Sequence, residues 1–247
     1  MIGRRGLIGT LAGGLLAGCT KIAQSQPGGA LLETVERWNR AAQRAISKRT
    51  ALAREFTVAD ISPFFRGNGT QNPATPAYDA HAAGQFADWR LAVDGLVERP
   101  LSLSLAQVRA LPQRTQITRH DCVEGWSAIG QWTGVPLARL LALAGVRPEA
   151  KYIVFHCADS LSGTPYYESI DMIDALHPQT IIAHALNGAP LPIRNGAPLR
   201  LRVERQLGYK QAKYIERIEA VASLAGIAGG KGGYWEDRSG YQWYAGI

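Results

Sequence analysis

Alternating apolar and polar residues predict β-strands at several places along the chain. Residues 89–95 (WRLAVDG) and 215–221 (IERIEAV) alternate as a strand with one buried face does. The run 151–159 (KYIVFHCAD) is more continuously apolar and predicts a buried strand. Weaker patterns indicate two shorter strands, at 166–170 and 199–203.

Helical periodicity is less frequent. Apolar residues recur at helical spacing through 31–56, with basic residues mostly off that face, which predicts an amphipathic helix. A Leu-rich segment after Pro136 predicts another helix, and SLAQ at 104–107 resembles a capping box. The apolar stretch 181–186 fits either a strand or a helix. Because strands outnumber helices, the pattern predicts a mixed, strand-rich α+β fold in a single domain, 57–247.

Composition narrows the class of protein without identifying it. The chain has 247 residues, 46% of them hydrophobic, which is typical of a globular protein. The net charge is +7, but lysines and arginines are scattered, so we expect no nucleic-acid partner. The three cysteines, Cys19, Cys122 and Cys157, are too few and too dispersed for a disulfide framework.

The N-terminus has the pattern of an export signal. Residues 1–18 place Arg4 and Arg5 before a short apolar stretch, 7–16, which is too short to span a bilayer. We therefore expect a signal peptide, and the paired arginines favour the twin-arginine export route.

The end of this signal resembles a bacterial lipobox. Leu16-Ala17-Gly18-Cys19 provides small residues at a cleavage site and a thiol that can accept lipid. The sequence thus predicts a periplasmic lipoprotein held on the membrane surface through Cys19. Residues 19–30, rich in Gly, Ser, Gln and Pro, would form a polar tether.

The stretch 118–137 (TRHDCVEGWSAIGQWTGVPL) contains the main candidate for chemistry. Cys122 stands where a predicted strand gives way to a loop, which is a common position for ligand-binding residues. A lone cysteine is more often a small buried apolar residue. The residue types around Cys122 leave both interpretations open.

Four ordered motifs carry a resemblance to a known family. WTGVPL, KYIVFH, NGAPLRLRV and GYKQAKYI together resemble the molybdopterin domain of the sulfite oxidase family, closest to its periplasmic methionine-sulfoxide reductase catalytic subunits. The likeness runs from about residue 61 to near the C-terminus. It implies a sulfite-oxidase-type fold and a molybdenum–molybdopterin cofactor with a single pyranopterin, whose metal is bound by the thiolate of Cys122.

The resemblance also implies which residues contact the cofactor. Arginine grips phosphate in a fork, and loop amides with a lysine neutralise it, which suits the phosphate of the pterin. Cys157 occupies a position at which the closest branch has a threonine. The matching positions are Asn68, Cys157, Asn195, Arg200, Gln211, Ala212 and Lys213.

The residues after Cys122 bear on the substrate. Sulfite oxidases have arginines there, whereas this chain has Glu124 and Trp126, which disfavours a sulfite dianion. Glu124 is either a proton-relaying catalytic residue or a structural acid, and Trp126 fits packing better than substrate contact. His120 is either a group that supports the residues of the site or a plain loop residue, and both alternatives stay open. Further candidates for the pocket wall are His156, Tyr209 and Arg119.

The resemblance implies a molybdopterin-dependent oxidoreductase that transfers an oxygen atom to or from a small substrate, a sulfoxide or another small oxide. A sulfite-oxidising dehydrogenase of the same family is the alternative. The sequence has no Cys-x-x-Cys-His motif, so we expect no haem in this chain and a separate cytochrome or membrane-haem partner for electrons.

Two further hypotheses assign the chain to other functional classes, a zinc-binding protein and a non-catalytic binding module. His120, Cys122, His156 and Cys157 are residue types that suit tetrahedral zinc, although their spacing is poor for it. A non-catalytic lipoprotein binding module that keeps the fold is the other reading.

Overall fold

The computed structural model describes residues 25–46 and 48–247. Helix α1 (Gln26–Ile46) belongs to one unit, and Arg49–Ile247 forms a second, compact unit that contains the whole of the predicted domain. The predicted signal peptide, the lipobox cysteine and the first part of the tether lie outside the described residues. No helix in the described part of the chain combines the length and the apolar character needed to cross a membrane.

Helix α1 confirms the amphipathic pattern but not its predicted bounds. It begins at Gln26, inside the predicted tether, and ends at Ile46, so the predicted end at residue 56 is wrong. The reason is long-range pairing: the backbone N–H of Ala53 donates to Gln179 Oε1 at 2.7 Å, and that of Phe56 donates to the Ile117 carbonyl at 2.9 Å. These contacts favour an extended segment over a longer helix.

The compact unit is rich in strands, as predicted. In chain order its strands are β1 (Arg90–Gly95), β2 (Leu101–Ser104), β3 (Arg114–Asp121), β4 (Ser127–Pro136), β5 (Tyr152–Leu161), β6 (Thr164–Asp171), β7 (Ile181–Leu186), β8 (Ala189–Pro190), β9 (Arg200–Arg202) and β10 (Ile215–Val221). Its α-helices are α2 (Pro76–Ala83), α3 (Leu105–Ala110), α4 (Leu137–Ala144), α5 (Met172–Ala175) and α6 (Tyr234–Ser239).

The strands form two five-stranded sheets. The first has the order β2-β1-β10-β5-β6, in which β1 and β10 are parallel and the other pairs antiparallel. The second has the order β3-β4-β7-β8, with β9 also paired to β7. Most of the buried apolar side chains form one large cluster, and a smaller one surrounds Trp132.

Several local predictions are confirmed. Strand β10 has the predicted bounds, residues 181–186 form a strand, and Ser104 and Gln107 close a capping box at the start of α3. Strand β4 was not predicted, because glycines weaken its pattern. A side chain at Gly134 would place its Cβ 2.2 Å from the Ile182 carbonyl oxygen, so the glycine allows β4 and β7 to approach closely.

Candidate active site

A cavity of about 280 Å³ brings together residues from strands β5 and β6 of the first sheet, from the turn after β3 and from other loops. It is lined by Cys122, Val123 and Glu124 after β3, by Asp159, Leu161 and Tyr166 on β5 and β6, and by Asn68, Gly69, Thr70, Gly208, Tyr209, Gln211, Lys213, Trp235 and Tyr241. Three of the predicted cofactor residues, Asn68, Gln211 and Lys213, thus share a cavity with Cys122.

Cys122 lies one residue beyond β3, at the start of the turn into β4. Its N–H donates to the Trp126 carbonyl at 2.9 Å, and its own carbonyl accepts from the N–H of Gly125 at 3.0 Å. The thiol is free and buried. Burial raises the pKa of Cys122, while the positive charge of Arg200 opposes this rise. The backbone therefore fixes the sulfur at the cavity wall, and binding of a metal ion would be needed to hold it as a thiolate.

Lys213 places a positive charge in the same cavity. Its Nζ donates to the main-chain carbonyls of Asn68 at 2.6 Å and Arg194 at 3.2 Å, and to that of Thr70. Burial and the nearby charge of Arg200 lower the pKa of Lys213 to about 7. An anion in the cavity would stabilise the charged form of this lysine.

Arg200 is a second buried cation. It donates from Nη1 to the carbonyl of Asn195 at 2.9 Å and from Nη2 to that of Gln211 at 3.4 Å, rather than to a carboxylate. Burial and the neighbouring charge of Arg202 lower the pKa of Arg200 to about 9. Arg200 and Lys213 therefore form a cationic pair without a carboxylate counter-charge in direct contact.

Gly196 allows these two side chains to lie against the same turn. Its φ is +106°, as the predicted turn at Asn195-Gly196 requires. A Cβ at Gly196 would lie 2.8 Å from Lys213 Cγ and 3.2 Å from Arg200 Cβ. The turn, β9 and the loop before β10 are thus packed closely around the cationic pair.

Several polar atoms near the pair have no hydrogen-bond partner among the described residues. They are Asn68 Oδ1, Asn195 Oδ1 and Arg200 Nε. Native proteins rarely leave such buried atoms unpaired, so the site is incomplete without a polar ligand. Ala212 is buried, and its carbonyl accepts from the N–H of Leu201 at 2.8 Å, which holds the loop against β9.

Of the other predicted residues, some line the cavity and others do not. Glu124 is exposed, lines the cavity, and accepts a hydrogen bond from Trp126 Nε1 at 2.8 Å. Tyr209 also lines the cavity. Cys157 is buried in the large apolar cluster rather than in the cavity wall, so the predicted cofactor contact is not seen for its side chain.

His120 and the two remaining candidates for the pocket wall are engaged in other contacts. His120 Nδ1 lies 3.0 Å from Arg202 Nη1, His156 Nε2 lies 2.8 Å from Glu219 Oε2, and Arg119 pairs with Asp121. Among the residues that the structure describes, no three His, Cys, Asp or Glu side chains form a metal-binding group. The four residues of the zinc alternative are therefore not brought together.

Some cavity residues were not predicted from the sequence. Asp159 is buried, and burial raises its pKa, opposed by a hydrogen bond from Thr70. Trp235 and Tyr241 come from the Gly- and aromatic-rich C-terminal segment, in which no spacing indicated a site. Asp159 lies at the end of the predicted strand 151–159, where no spacing indicated a site either.

Comparison with known proteins agrees with this geometry. Residues 77–225 match the family described as oxidoreductase molybdopterin binding domain. The chain belongs to this family. It therefore carries the molybdopterin-binding domain of an oxidoreductase, and its strand-rich α+β fold is the one that the sequence predicted.

Named relatives point to one branch of this family. YedZ1 of Azospira oryzae, whose name provisionally assigns it as a protein-methionine-sulfoxide reductase subunit, is 48% identical over 160 residues, covering 65% of this chain and 56% of that protein. The protein-methionine-sulfoxide reductase catalytic subunit MsrP of Gluconobacter oxydans is 36% identical over 168 residues, covering 63% and 53%.

One solved structure shares the fold. The sulfane dehydrogenase SoxCD from Paracoccus pantotrophus superimposes with a TM-score of 0.51 and 28% identity, covering 56% of this chain and 39% of that chain. The chain spans about half the length of the curated relatives it matches.

The residues present fit the cofactor that the family implies. A free thiol stands in a cavity with Lys213, and the guanidinium of Arg200 is close enough to influence the pKa of both groups. Thiolates bind soft or high-valent metals, and paired cations with an orphaned guanidinium nitrogen suit a phosphate. The orphaned amide oxygens of Asn68 and Asn195 can accept from N–H groups such as those of a pterin. A molybdopterin needs both kinds of group.

Proposed function

We propose that this chain is the catalytic domain of a molybdopterin-dependent reductase that removes an oxygen atom from a small sulfoxide. One observation carries the proposal: Cys122 and Lys213 line one cavity, and Arg200 lies within electrostatic range of both. The names of the relatives, which include protein-methionine-sulfoxide reductase, support the sulfoxide as the substrate class.

The residues of this chain would hold a single molybdopterin at its two ends. Cys122 would bind the metal as a thiolate, while Arg200 and Lys213 would bind the phosphate. Asn68 and Asn195 would complete the polar contacts with their unpaired side-chain oxygens. When bound, the molybdenum centre supplies two-electron oxygen-atom transfer.

Glu124 is placed to move the protons that the reaction consumes. Reduction of a sulfoxide to a thioether takes two electrons and two protons and releases one water molecule. Glu124 lies beside Cys122 at the solvent-exposed side of the cavity, and Trp126 orients its carboxylate. We infer that Glu124 passes protons from solvent to the site. The electrons would come from a separate cytochrome-type partner.

The charges in the cavity favour a neutral substrate. Its charged lining residues are Glu124, Asp159 and Lys213. With Lys213 and Arg200 holding the phosphate of the cofactor, no cation of the cavity lining would remain for a second anion. A sulfite dianion would meet two acidic side chains and no free cation, which supports a sulfoxide over sulfite.

We also propose that the protein is a periplasmic lipoprotein anchored through Cys19, as the N-terminal pattern predicts. Replacement of Cys19 by serine should release the protein from membranes into the soluble extracytoplasmic fraction. Mass spectrometry of the N-terminal peptide should find diacylglycerol on Cys19 of the wild type. An unlipidated wild-type N-terminus would contradict this proposal.

The activity is tested on protein purified from a host that inserts molybdopterin. With a reduced viologen dye as electron donor, we expect turnover of methyl sulfoxides, and with ferricyanide as acceptor, little oxidation of sulfite. Cys122→Ser should abolish sulfoxide turnover without unfolding the protein. Fast sulfite oxidation without sulfoxide reduction would favour the dehydrogenase instead.

A further inference from the structure

Part of the cavity wall is built from aromatic rings. Trp235 and Tyr241 are stacked, with centroids 5.7 Å apart and an interplanar angle of 25°. Tyr241 meets Tyr209 edge to face at 5.0 Å and 78°. All three residues line the cavity that contains Cys122. We call these three residues the aromatic wall.

The segment that carries this wall is tied to the folded unit. Glu236 binds the buried ammonium of Lys210 at 2.6 Å, and the Asp237 carboxylate accepts hydrogen bonds from Tyr167 at 2.5 Å and from two backbone N–H groups. The hydroxyl of Tyr209 donates to the carbonyl of Gln242 at 2.6 Å. The rings are therefore positioned by contacts of the residues that follow Trp235.

Two residues of the aromatic wall lie outside the span that matches the family, unlike the residues proposed to bind the metal and the phosphate. Cys122, Arg200 and Lys213 all lie within the span that matches the family, residues 77–225. Trp235 and Tyr241 lie beyond the end of that span. The residues proposed to bind the metal and the phosphate thus lie in the matched region, as does Tyr209, whereas Asn68, Trp235 and Tyr241 lie outside it.

The chemistry of the wall matches the apolar part of a sulfoxide. Aromatic faces bind alkyl and aryl groups through burial of apolar surface. Neither Trp235 nor Tyr241 carries a charge that would select an anion. The wall is suited to a neutral molecule that combines a sulfoxide with an alkyl or aryl body.

We propose that the aromatic wall is a substrate subsite that binds the apolar body of the sulfoxide, with Trp235 and Tyr241 determining specificity. The subsite rests on the proposed function, because it presumes that the sulfoxide reacts in this cavity. It predicts that substrate preference depends on a segment outside the family-matching span.

Steady-state kinetics of the molybdopterin-loaded enzyme test the subsite. Methyl p-tolyl sulfoxide and dimethyl sulfoxide share the reacting sulfoxide group. The first carries a large apolar tolyl group, whereas the second carries only methyl groups. We expect Trp235→Ala to raise KM for the tolyl substrate about tenfold, with a much smaller change for dimethyl sulfoxide and little change in kcat. Trp38→Ala, in helix α1, is the matched control. An equal change for both substrates would overturn the subsite.

A binding measurement separates this inference from the proposed function. Without reductant, methyl p-tolyl sulfoxide should quench tryptophan fluorescence saturably in the wild type and in Trp38→Phe, but not in Trp235→Phe. If Trp235-dependent quenching occurs and the loaded enzyme reduces no sulfoxide, the subsite stands and the proposed function fails. If sulfoxides are reduced and quenching does not depend on Trp235, the subsite fails alone.

Discussion

Arg202 binds Glu204 through both carboxylate oxygens, at 3.0 Å and 2.5 Å, with both side chains fully buried. Arg200, two residues earlier on the same strand, donates only to main-chain carbonyls. Both guanidinium groups lie against Trp132, at 4.4 Å for Arg202 and 5.0 Å for Arg200. The first arginine is neutralised by a buried carboxylate, whereas the second has no carboxylate in direct contact.

The Arg202–Glu204 pair should be essential for stability. Glu204→Gln would leave a buried guanidinium without its counter-charge, and we expect a loss of about 3 kcal/mol in the free energy of unfolding. Urea denaturation measures this. The exposed pair Arg99–Glu98, 3.6 Å apart, provides the control, since Glu98→Gln should cost less than about 1 kcal/mol. Equal losses in the free energy of unfolding for the two substitutions would show that burial of the Arg202–Glu204 pair does not increase its contribution to stability.

Anion binding by the cofactor-free protein should depend on pH through Lys213. The pKa of Lys213 is lowered to about 7, so this side chain is charged at pH 6 and largely neutral at pH 8.5. Sulfate keeps its charge over this range, and we expect it to bind about tenfold more tightly at pH 6, measured by calorimetry. Lys213→Met should remove this dependence, and Lys151→Met, at an exposed lysine, should retain it.

The same lowered pKa has a consequence for stability without an anion. The unfolded lysine, with a pKa near 10.5, binds its proton more tightly than the folded one does. The free energy of unfolding of wild type should therefore rise, relative to that of Lys213→Met, as the pH increases from about 7 towards 10. A falling difference over this window would contradict the assigned burial of Lys213.

Gly208 should be intolerant of any side chain. A Cβ at this position would lie 2.5 Å from the ring of His120, which is itself fully buried. We expect Gly208→Ala to destabilise the protein by about 1–3 kcal/mol and to lower its cofactor content. Gly226→Ala, where a Cβ would meet no atom within 4 Å, is the control and should be nearly neutral.

Glu124 should affect turnover rather than folding. Its side chain is exposed, and its hydrogen bond to Trp126 is local, so Glu124→Gln should leave the unfolding curve unchanged. If it passes protons, kcat for sulfoxide reduction should fall about 100-fold. Trp126→Phe, which removes the orienting hydrogen bond but keeps the carboxylate of Glu124, should have a smaller effect on kcat. A normal kcat in Glu124→Gln would show that Glu124 is a structural acid.

The sequence predicted elements whose signals are local. Strand β10 alternates within its own residues, and the capping box at Ser104 needs only the next three, so both were found. Cys122 was correctly placed at a strand end. The extended segment before Phe56 was predicted as helix, because its pairing partners lie more than fifty residues away in sequence.

Site residues could be predicted from the sequence where they lie within the motifs that resemble the family. Arg200 and Lys213 lie within matching motifs; Lys213 lines the cavity with Cys122, and Arg200 packs beside it against Gly196. Cys157 was expected in the cavity because of its position in a motif, yet its side chain packs in the apolar core. Trp235 and Tyr241 reach the cavity only through long-range contacts of a segment with no regular pattern.

The central claim is that Cys122 binds the metal of a molybdopterin held in this cavity. Molybdenum content per chain, measured by elemental mass spectrometry on protein from a molybdopterin-producing host, tests it most directly. The account predicts about one molybdenum per wild-type chain and essentially none in folded Cys122→Ser. Folded wild-type protein without molybdenum, or Cys122→Ser that retains a full complement of the metal, would contradict it.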